Sequence, residues 1–199
     1  MKLKHTLFVL FSLFVLILAA CGADPTDPTA YNGTLLPTPI PITDFTLTDG
    51  DGQAVSLSDF RDKVVLVYFG YTFCPDVCPT TMADLGRVQR ELDDAGESIQ
   101  VLMITVDPQR DTPELLADYV THFHPTFKGL AGTKQEIDGA AEQFGVFYEA
   151  HEGSEASGYL VDHTARVFVV NQEGAYELSF PFETSVEDMV ADLRLLMGS

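Results

Sequence analysis

Two cysteines separated by three residues, Cys74 and Cys78, are the strongest chemical feature of this chain of 199 residues. One helical turn, or a tight loop of similar reach, brings side chains at positions i and i+4 to the same side. Such a pair can close a disulfide or hold one metal ion. The pair lies between an apolar run, Val64 to Phe69, and a helical pattern that opens at Pro79. Because free N–H groups at a helix N-terminus favour thiolate over thiol, we expect a reactive pair.

A structural disulfide is the alternative interpretation of this pair, since exported proteins often contain one. Two observations lower its weight. Closing so small a loop removes little entropy from the unfolded chain. The pair is also flanked by Pro75 and Pro79 at a strand-to-helix junction, which suits an accessible reactive site better than a stabilising crosslink. We therefore interpret Cys74 and Cys78 as a functional pair.

A metal ion held by two thiolates needs further ligands, and histidine is the obvious source. His122 and His124 stand at the end of a helical pattern, where a solvated helix terminus is expected and a weak accessory metal site is the alternative. His151 lies in the stretch HEGSEASG, which is typical of an exposed loop. His163 shortly precedes an apolar run, so it is expected on a loop at one end of a sheet and is the candidate third ligand.

Two acids near these residues, Asp76 and Asp162, could orient the ring of His163 as hydrogen-bond acceptors. We favour the simpler interpretation that both are surface acids, since the chain has 30 Asp and Glu residues. Met82, four residues after Cys78, is interpreted as a core residue of the helix. Asp107 and Pro108 have no chemical role that the sequence identifies.

Strand and helix patterns alternate along residues 42–199, which predicts a single α/β domain with a central sheet flanked by helices. The capping box of Thr184 and Glu187 marks the start of the last helix. A β-hairpin is expected where Gly174 separates two apolar runs, and shorter β segments are expected between Phe45 and Val55. The predicted strands are Val64–Phe69, Ile99–Val106, Val167–Val170 and Tyr176–Phe180, and the predicted helices are 79–94, 113–122, 133–144 and 184–197.

The first 20 residues have the layout of a secretory signal, with Lys2 and Lys4 before an apolar run that ends in Leu18-Ala19-Ala20-Cys21. A pair of small residues directly before a cysteine resembles a bacterial lipoprotein processing site, so residues 1–20 are predicted to be a signal peptide and Cys21 to be lipidated. The alternative is an uncleaved membrane anchor. Residues 21–41 contain five of the eleven prolines and are predicted to be a linker between the lipid and the folded domain.

Composition and charge exclude several classes of protein. With 46% apolar residues the chain can bury a core, and with a net charge of −19 it repels nucleic acid backbones. Three cysteines are too few for a disulfide-stapled scaffold, a zinc ribbon or an iron–sulfur cluster built from this chain alone. No nucleic acid partner is expected.

Three segments in order along the chain resemble the SCO/SenC family of membrane-tethered copper proteins. They are Gly70–Pro79 with its C-x-x-x-C core, Val106–Glu114 (VDPQRDTPE) and Tyr159–His163 (YLVDH). The resemblance spans about residues 42–196 and implies a thioredoxin-like fold. It also implies that Cys74, Cys78 and His163 bind one copper ion, as Cu(I) or Cu(II).

The resemblance further implies a role in building the binuclear copper centre of cytochrome c oxidase. Such a protein delivers copper, reduces the cysteines of the target, or does both. The implied partner is oxidase subunit II or a similar copper acceptor, and the implied form is a monomer anchored by lipid on the extracytoplasmic face of the membrane. Zinc competes for a site of two thiolates and one imidazole.

Two other functions compete with copper delivery. The first is an extracytoplasmic thiol–disulfide oxidoreductase that uses Cys74 and Cys78 as a redox pair without metal. Thioredoxin-type enzymes space their cysteines by two residues, whereas three residues separate this pair. The second is a redox or copper sensor that signals to a membrane partner, and the sequence does not separate a sensor from a chaperone.

Overall fold

The computed structural model describes residues 30–92, 98–152 and 158–198. The signal peptide and Cys21 lie outside these residues. Within the described part, no helix is long and apolar enough to cross a membrane. The strands are β1 (Thr34–Pro41), β2 (Thr46–Thr48), β3 (Ala54–Ser56), β4 (Val64–Gly70), β5 (Ile99–Thr105), β6 (Lys128–Leu130), β7 (Tyr148–His151), β8 (Leu160–His163), β9 (Arg166–Val170) and β10 (Ala175–Pro181). The helices are α1 (Val77–Leu92), α2 (Pro113–Thr121), α3 (Lys134–Gln143) and α4 (Val186–Met197).

A mixed sheet of six strands, in the order β1-β10-β9-β4-β5-β6, forms the centre of the domain. Strands β4, β5 and β6 are parallel to one another, whereas β9 is antiparallel to β4 and β10 is antiparallel to β9. Two short ribbons, β2–β3 and β7–β8, lie outside this sheet. The α/β prediction is confirmed, as are the N-terminal β segments and the β9–β10 hairpin.

Every residue of strands β4 and β5 is buried. Mostly apolar strands of this kind need a covering layer on both faces, which places them at the centre of the sheet. Alternate residues of β4 point to opposite faces of the sheet. On one face Phe69 packs against Phe144, which follows α3. On the other face lie Cys78 and Met82 of α1, both buried as the core interpretation of Met82 requires. Helix α4 packs against α1.

Strand β1 is a correction to the predicted linker, because its eight residues pair with β10 at the edge of the central sheet. The prolines that suggested a linker are compatible with an edge strand. Proline has no N–H group to donate, and an edge strand tolerates this loss on the side that has no neighbouring strand. Further contacts fix this end of the domain: the backbone N–H of Gly33 donates to the buried Asp192 carboxylate at 2.7 Å. The folded domain therefore begins before residue 42.

Several predicted boundaries shift by one or two residues. Helix α1 begins at Val77 and not at Pro79, so Cys78 lies in its first turn, and its predicted end near residue 94 falls outside the described residues. Helix α4 is capped by Ser185, whose hydroxyl accepts from the Asp188 N–H at 3.1 Å, and not by Thr184. His163 ends strand β8 of a short ribbon, where the sequence predicts a loop.

Candidate metal centre

The two cysteines lie where β4 ends and α1 begins. Cys74 lies in the turn between them, its N–H donating to the Tyr71 carbonyl at 3.3 Å, and Cys78 lies in the first turn of α1. The Cys78 N–H donates to the Cys74 sulfur at 3.4 Å. Both thiols are free; Cys78 is fully buried and Cys74 is partly exposed. The pair therefore has one sulfur fixed in the core and one accessible from outside.

His163 reaches the cysteines from a separate part of the fold. Its Nε2 atom lies 3.4 Å from the Cys78 sulfur, and its Nδ1 atom lies 3.3 Å from the Thr164 carbonyl oxygen. A proton on Nδ1 donates to that carbonyl, so Nε2, which faces the sulfurs, is the ring nitrogen available to a metal ion. The ligand atoms of Cys74, Cys78 and His163 all lie within 4.8 Å of one another. This donor set suits a soft metal ion.

The electrostatics of the pair favour one thiolate and one thiol in the metal-free protein. A hydrogen bond from the Cys78 thiol, together with His163 and the N–H groups of residues 76 and 78, lowers the pKa of Cys74 to about 3. The bond to Cys74 and burial raise the pKa of Cys78 well above its usual value. Binding a metal ion through both sulfurs therefore displaces the Cys78 proton.

Aromatic rings enclose the buried side of the centre. The rings of Tyr68 and Tyr71 meet the His163 ring edge-on, with centroids 5.9 and 6.0 Å away. The Tyr71 hydroxyl accepts from the Val161 N–H at 3.3 Å, which ties the cysteine loop to the strand that carries His163. Gly70 leaves room for the thiol, because a Cβ atom there would lie 3.1 Å from the Cys78 sulfur and 2.7 Å from the Tyr68 ring.

Asp111, buried after β5, is a positioning residue that the sequence interpretation missed. Its carboxylate accepts from the Thr72 N–H at 3.1 Å and from the Thr105 hydroxyl at 2.7 Å. Thr72 belongs to the cysteine loop and Thr105 ends the neighbouring strand β5. Asp111 therefore holds the cysteine loop against the edge of the sheet.

Arg110 connects the cysteine loop with the segment that carries His163. Its guanidinium carbon lies 3.7 Å from the centre of the Tyr159 ring and 4.9 Å from that of Phe73. It also donates a hydrogen bond to the Tyr159 carbonyl at 3.0 Å and forms an ion pair with Asp107. The Asp107 carboxylate accepts a second hydrogen bond, from the Tyr159 hydroxyl. The sequence feature that could have indicated this role is the group of charged residues in D-P-Q-R-D, residues 107–111, directly after a buried strand. Asp107 therefore has a positioning role.

The remaining histidines and acids lie away from the centre. His122 is hydrogen-bonded to the Asp118 carbonyl, and His124 is hydrogen-bonded to the Thr126 hydroxyl. Among the described residues, the only group of three potential metal ligands is Cys74, Cys78 and His163. Asp76 is exposed. Asp162 is 79% exposed and lies 3.4 Å from His151. The surface interpretation of both acids is confirmed, and the Thr164 carbonyl orients His163 instead.

A comparison with protein-family models identifies the family of this chain. Residues 37–198 match the model described as SCO1/SenC, which covers more than half of the sequence. The chain belongs to the SCO1/SenC family. This match confirms the resemblance found in the three motif segments. The predicted thioredoxin-like fold is also confirmed, because the structural neighbours of this chain are Sco proteins with that fold.

Three bacterial proteins illustrate what this chain is similar to. Apo Sco1 of Thermus thermophilus is 44% identical, with a TM-score of 0.76 over 83% of this chain and 96% of that one. Copper-bound ScoI of Bradyrhizobium japonicum is 32% identical, with a TM-score of 0.70 over 77% of this chain and 98% of that one. A SCO2-like protein of Rickettsia felis is 34% identical over 152 residues, which are 76% of this chain and 74% of that protein.

Proposed function

We propose that this protein binds one copper ion through Cys74, Cys78 and His163 and delivers it to the binuclear copper site of cytochrome c oxidase. The observation that carries the proposal is the convergence of these three ligand atoms within 4.8 Å at the junction of β4 and α1. Two thiolates bind Cu(I) well, and an added imidazole lets the same site accept Cu(II). The copper-bound ScoI of Bradyrhizobium japonicum supports copper as the cargo.

The position of each ligand suits transfer of the ion. Cys78 is fully buried at the first turn of α1, whereas Cys74 is partly exposed and is the sulfur that an incoming ligand can approach. His163 comes from a different segment, so it can leave the metal while the two sulfurs keep it. Exchange of ligands can therefore proceed one bond at a time without the metal passing through water.

Copper titration of the soluble domain tests the binding part of this proposal. The reduced domain, titrated without oxygen, is expected to bind one Cu(I), and Cys74→Ser or Cys78→Ser is expected to abolish binding. His163→Ala is expected to weaken Cu(II) binding most and to remove the thiolate-to-copper charge-transfer band. If His163→Ala leaves both forms of bound copper unchanged, while His124→Ala releases them, the ligand assignment is wrong.

Deletion of the gene tests the delivery part. Oxidase activity is expected to fall when copper is limiting and to recover when copper is added. Unchanged oxidase activity at limiting copper would contradict delivery and would favour a sensor.

Reduction of disulfides in the acceptor is a second candidate function, and the state of Cys74 favours it. A partly exposed sulfur with a pKa near 3 is a thiolate at neutral pH, and Cys78 is close enough to act as the resolving thiol. Cys74 would attack one acceptor sulfur, and Cys78 would then release it, so that two protein thiols become a disulfide and the acceptor disulfide becomes two thiols. Metal-free protein reducing the oxidised acceptor would support this function.

We also propose that the domain is tethered on the extracytoplasmic face of the membrane through a lipid on Cys21, as a monomer. The motif Leu18-Ala19-Ala20-Cys21 supports the anchor. Mass spectrometry of the membrane-extracted protein is expected to show a chain that begins at Cys21 with added acyl groups. A Cys21→Ser variant recovered with the same lipid would contradict this assignment.

A further inference from the structure

Two exposed aromatic side chains border the metal centre. Phe73, directly before Cys74, is 53% exposed. Phe147 is 64% exposed, and its carbonyl accepts from the Thr164 N–H, so it lies beside the residue that follows His163. Large apolar side chains that remain in water around a functional site commonly mark a contact with another molecule.

Phe73 is held in place although half of it faces solvent. The guanidinium of Arg110 stacks against its ring at 4.9 Å, and Arg110 is itself fixed by Asp107 and by the Tyr159 carbonyl. An aromatic ring fixed before binding loses less conformational freedom when a partner covers it. Phe73 therefore has the properties of a rigid anchor at an interface.

A groove of about 430 Å³ adjoins Phe73 on the α2 side of the centre. Its walls include Leu115, which is 39% exposed, and the rings of Tyr119 and Phe123. The Tyr119 hydroxyl is buried and has no hydrogen-bond partner within residues 30–92, 98–152 and 158–198. A chain that enters the groove can supply both an apolar side chain for its walls and an acceptor for this hydroxyl.

The charge around this surface restricts the chemistry of the partner. Asp76 lies between the two cysteines, Glu114 precedes Leu115, and Asp118 lines the groove; all three are exposed. Asp162 is exposed next to His163. Because the chain carries 30 acidic and 11 basic residues, its field favours a partner with lysine or arginine at the matching positions.

Copper transfer by ligand exchange requires direct contact between two proteins, because the incoming ligand must approach Cys74 to bonding distance. An acceptor that reaches Cys74 also approaches Phe73, the residue before it, and Phe147, which lies beside Thr164. We propose that Phe73, Phe147 and the groove between Phe73 and Phe123 are the docking surface for the copper-accepting protein, which presents an apolar side chain surrounded by basic residues. This inference rests on the proposed function and adds the surface and the partner chemistry.

Binding and transfer to a protein acceptor test this surface. The probe is the soluble copper-binding domain of oxidase subunit II from the same organism, and the holoprotein is compared with Phe73→Ser and Phe147→Ser. Each substitution is expected to weaken binding about tenfold or more, which corresponds to about 1.4 kcal/mol or more, because truncating an anchor at the centre of an interface commonly has an effect of at least this size. Ile40→Ser is the matched control: Ile40 is 49% exposed, but it pairs with Tyr176 at the opposite end of the sheet.

A small Cu(I) chelator provides the control for damage to the metal centre. Removal of copper by the chelator is expected to proceed at the wild-type rate in Phe147→Ser, since the chelator does not need the docking surface. In Phe73→Ser, which also loses the contact with Arg110, the chelator rate measures damage to the centre, and the loss of acceptor binding is expected to exceed it. Raising the ionic strength from about 0.01 to about 0.15 M, which shortens the Debye length from about 30 to about 8 Å, is expected to weaken binding of the acceptor.

The outcomes separate this inference from the proposed function. Unchanged acceptor binding in both phenylalanine variants overturns the docking surface even if copper is delivered. Equal losses in Ile40→Ser, or no binding of the wild-type protein, also overturn it. Binding that depends on Phe73 and Phe147 but leads to no copper transfer supports the docking surface and contradicts delivery.

Discussion

Arg110→Gln should loosen the metal centre without removing any proposed ligand. The guanidinium holds three contacts that glutamine cannot replace together: the ion pair with Asp107, the hydrogen bond to the Tyr159 carbonyl at 3.0 Å, and the stacking on the Tyr159 ring at 3.7 Å. Asp107 is 3% exposed, so the substitution leaves its carboxylate buried with the Tyr159 hydroxyl as its remaining hydrogen-bond donor among the described residues. The loss should therefore be large for a single polar residue.

The magnitude follows from the burial of this pair. Removing one partner from a buried ion pair costs about 3–5 kcal/mol, and we expect about 3 kcal/mol because 18% of the Arg110 side chain remains exposed. Lys134→Gln is the matched control. The Lys134–Asp138 pair has 72% and 48% of its side chains exposed, so its loss should cost no more than about 0.5 kcal/mol.

Two measurements check this reasoning. Denaturant unfolding of the metal-free domain gives the loss of unfolding free energy, and Cu(II) titration gives the effect on the site. Because Arg110 connects Phe73 of the cysteine loop with Tyr159 near His163, Cu(II) affinity should fall while Cu(I) affinity, which depends mainly on the two sulfurs, changes less. A loss equal to that of Lys134→Gln, or equal losses for the two copper forms, would refute the linking role of Arg110.

Three further outcomes are expected. Gly70→Ala should lower the unfolding temperature and slow copper uptake, because the new methyl group would lie 2.7 Å from the Tyr68 ring and 3.1 Å from the Cys78 sulfur; an unchanged melting curve would be contrary evidence. Asp192→Ala should cost about 2 kcal/mol in urea unfolding, since the Gly33 N–H loses its buried acceptor, whereas Asp188→Ala serves as the partly exposed control on the same helix. In the metal-free protein, alkylation of Cys74 should keep a constant rate from pH 7 down to about pH 5, because its lowered pKa keeps it as thiolate; a rate that falls tenfold per pH unit would contradict this state.

The loop of residues 106–114 shows how far the sequence interpretation of the site reached. The segment VDPQRDTPE contributed to the family resemblance, yet no chemical role followed for Asp107. The structure gives that role through contacts with Tyr159, which lies 52 residues further along the chain. Contacts of this kind depend on how distant segments are placed, and no local pattern encodes them.

The edge of the sheet shows the same limit in the fold. Prolines at residues 37, 39 and 41 are typical of a linker, and the local pattern contains nothing that separates a linker from an edge strand. Strand β1 forms because β10 offers an unpaired edge to it, which is a property of the completed sheet. The central strands were predictable because their apolar runs need burial in any arrangement.

The sequence by itself determined the reactive pair and the alternation of strands and helices, because spacing and periodicity act over a few residues. The third ligand, His163, was implied by the resemblance of the motif segments to the SCO/SenC family. Only the tertiary structure decided that His163 meets Cys78, a residue 85 positions earlier, at 3.4 Å. It also decided which sulfur is exposed and which groups hold the two segments together. These features follow from the antiparallel pairing of β4 with β9, which brings the end of β8 to the start of α1.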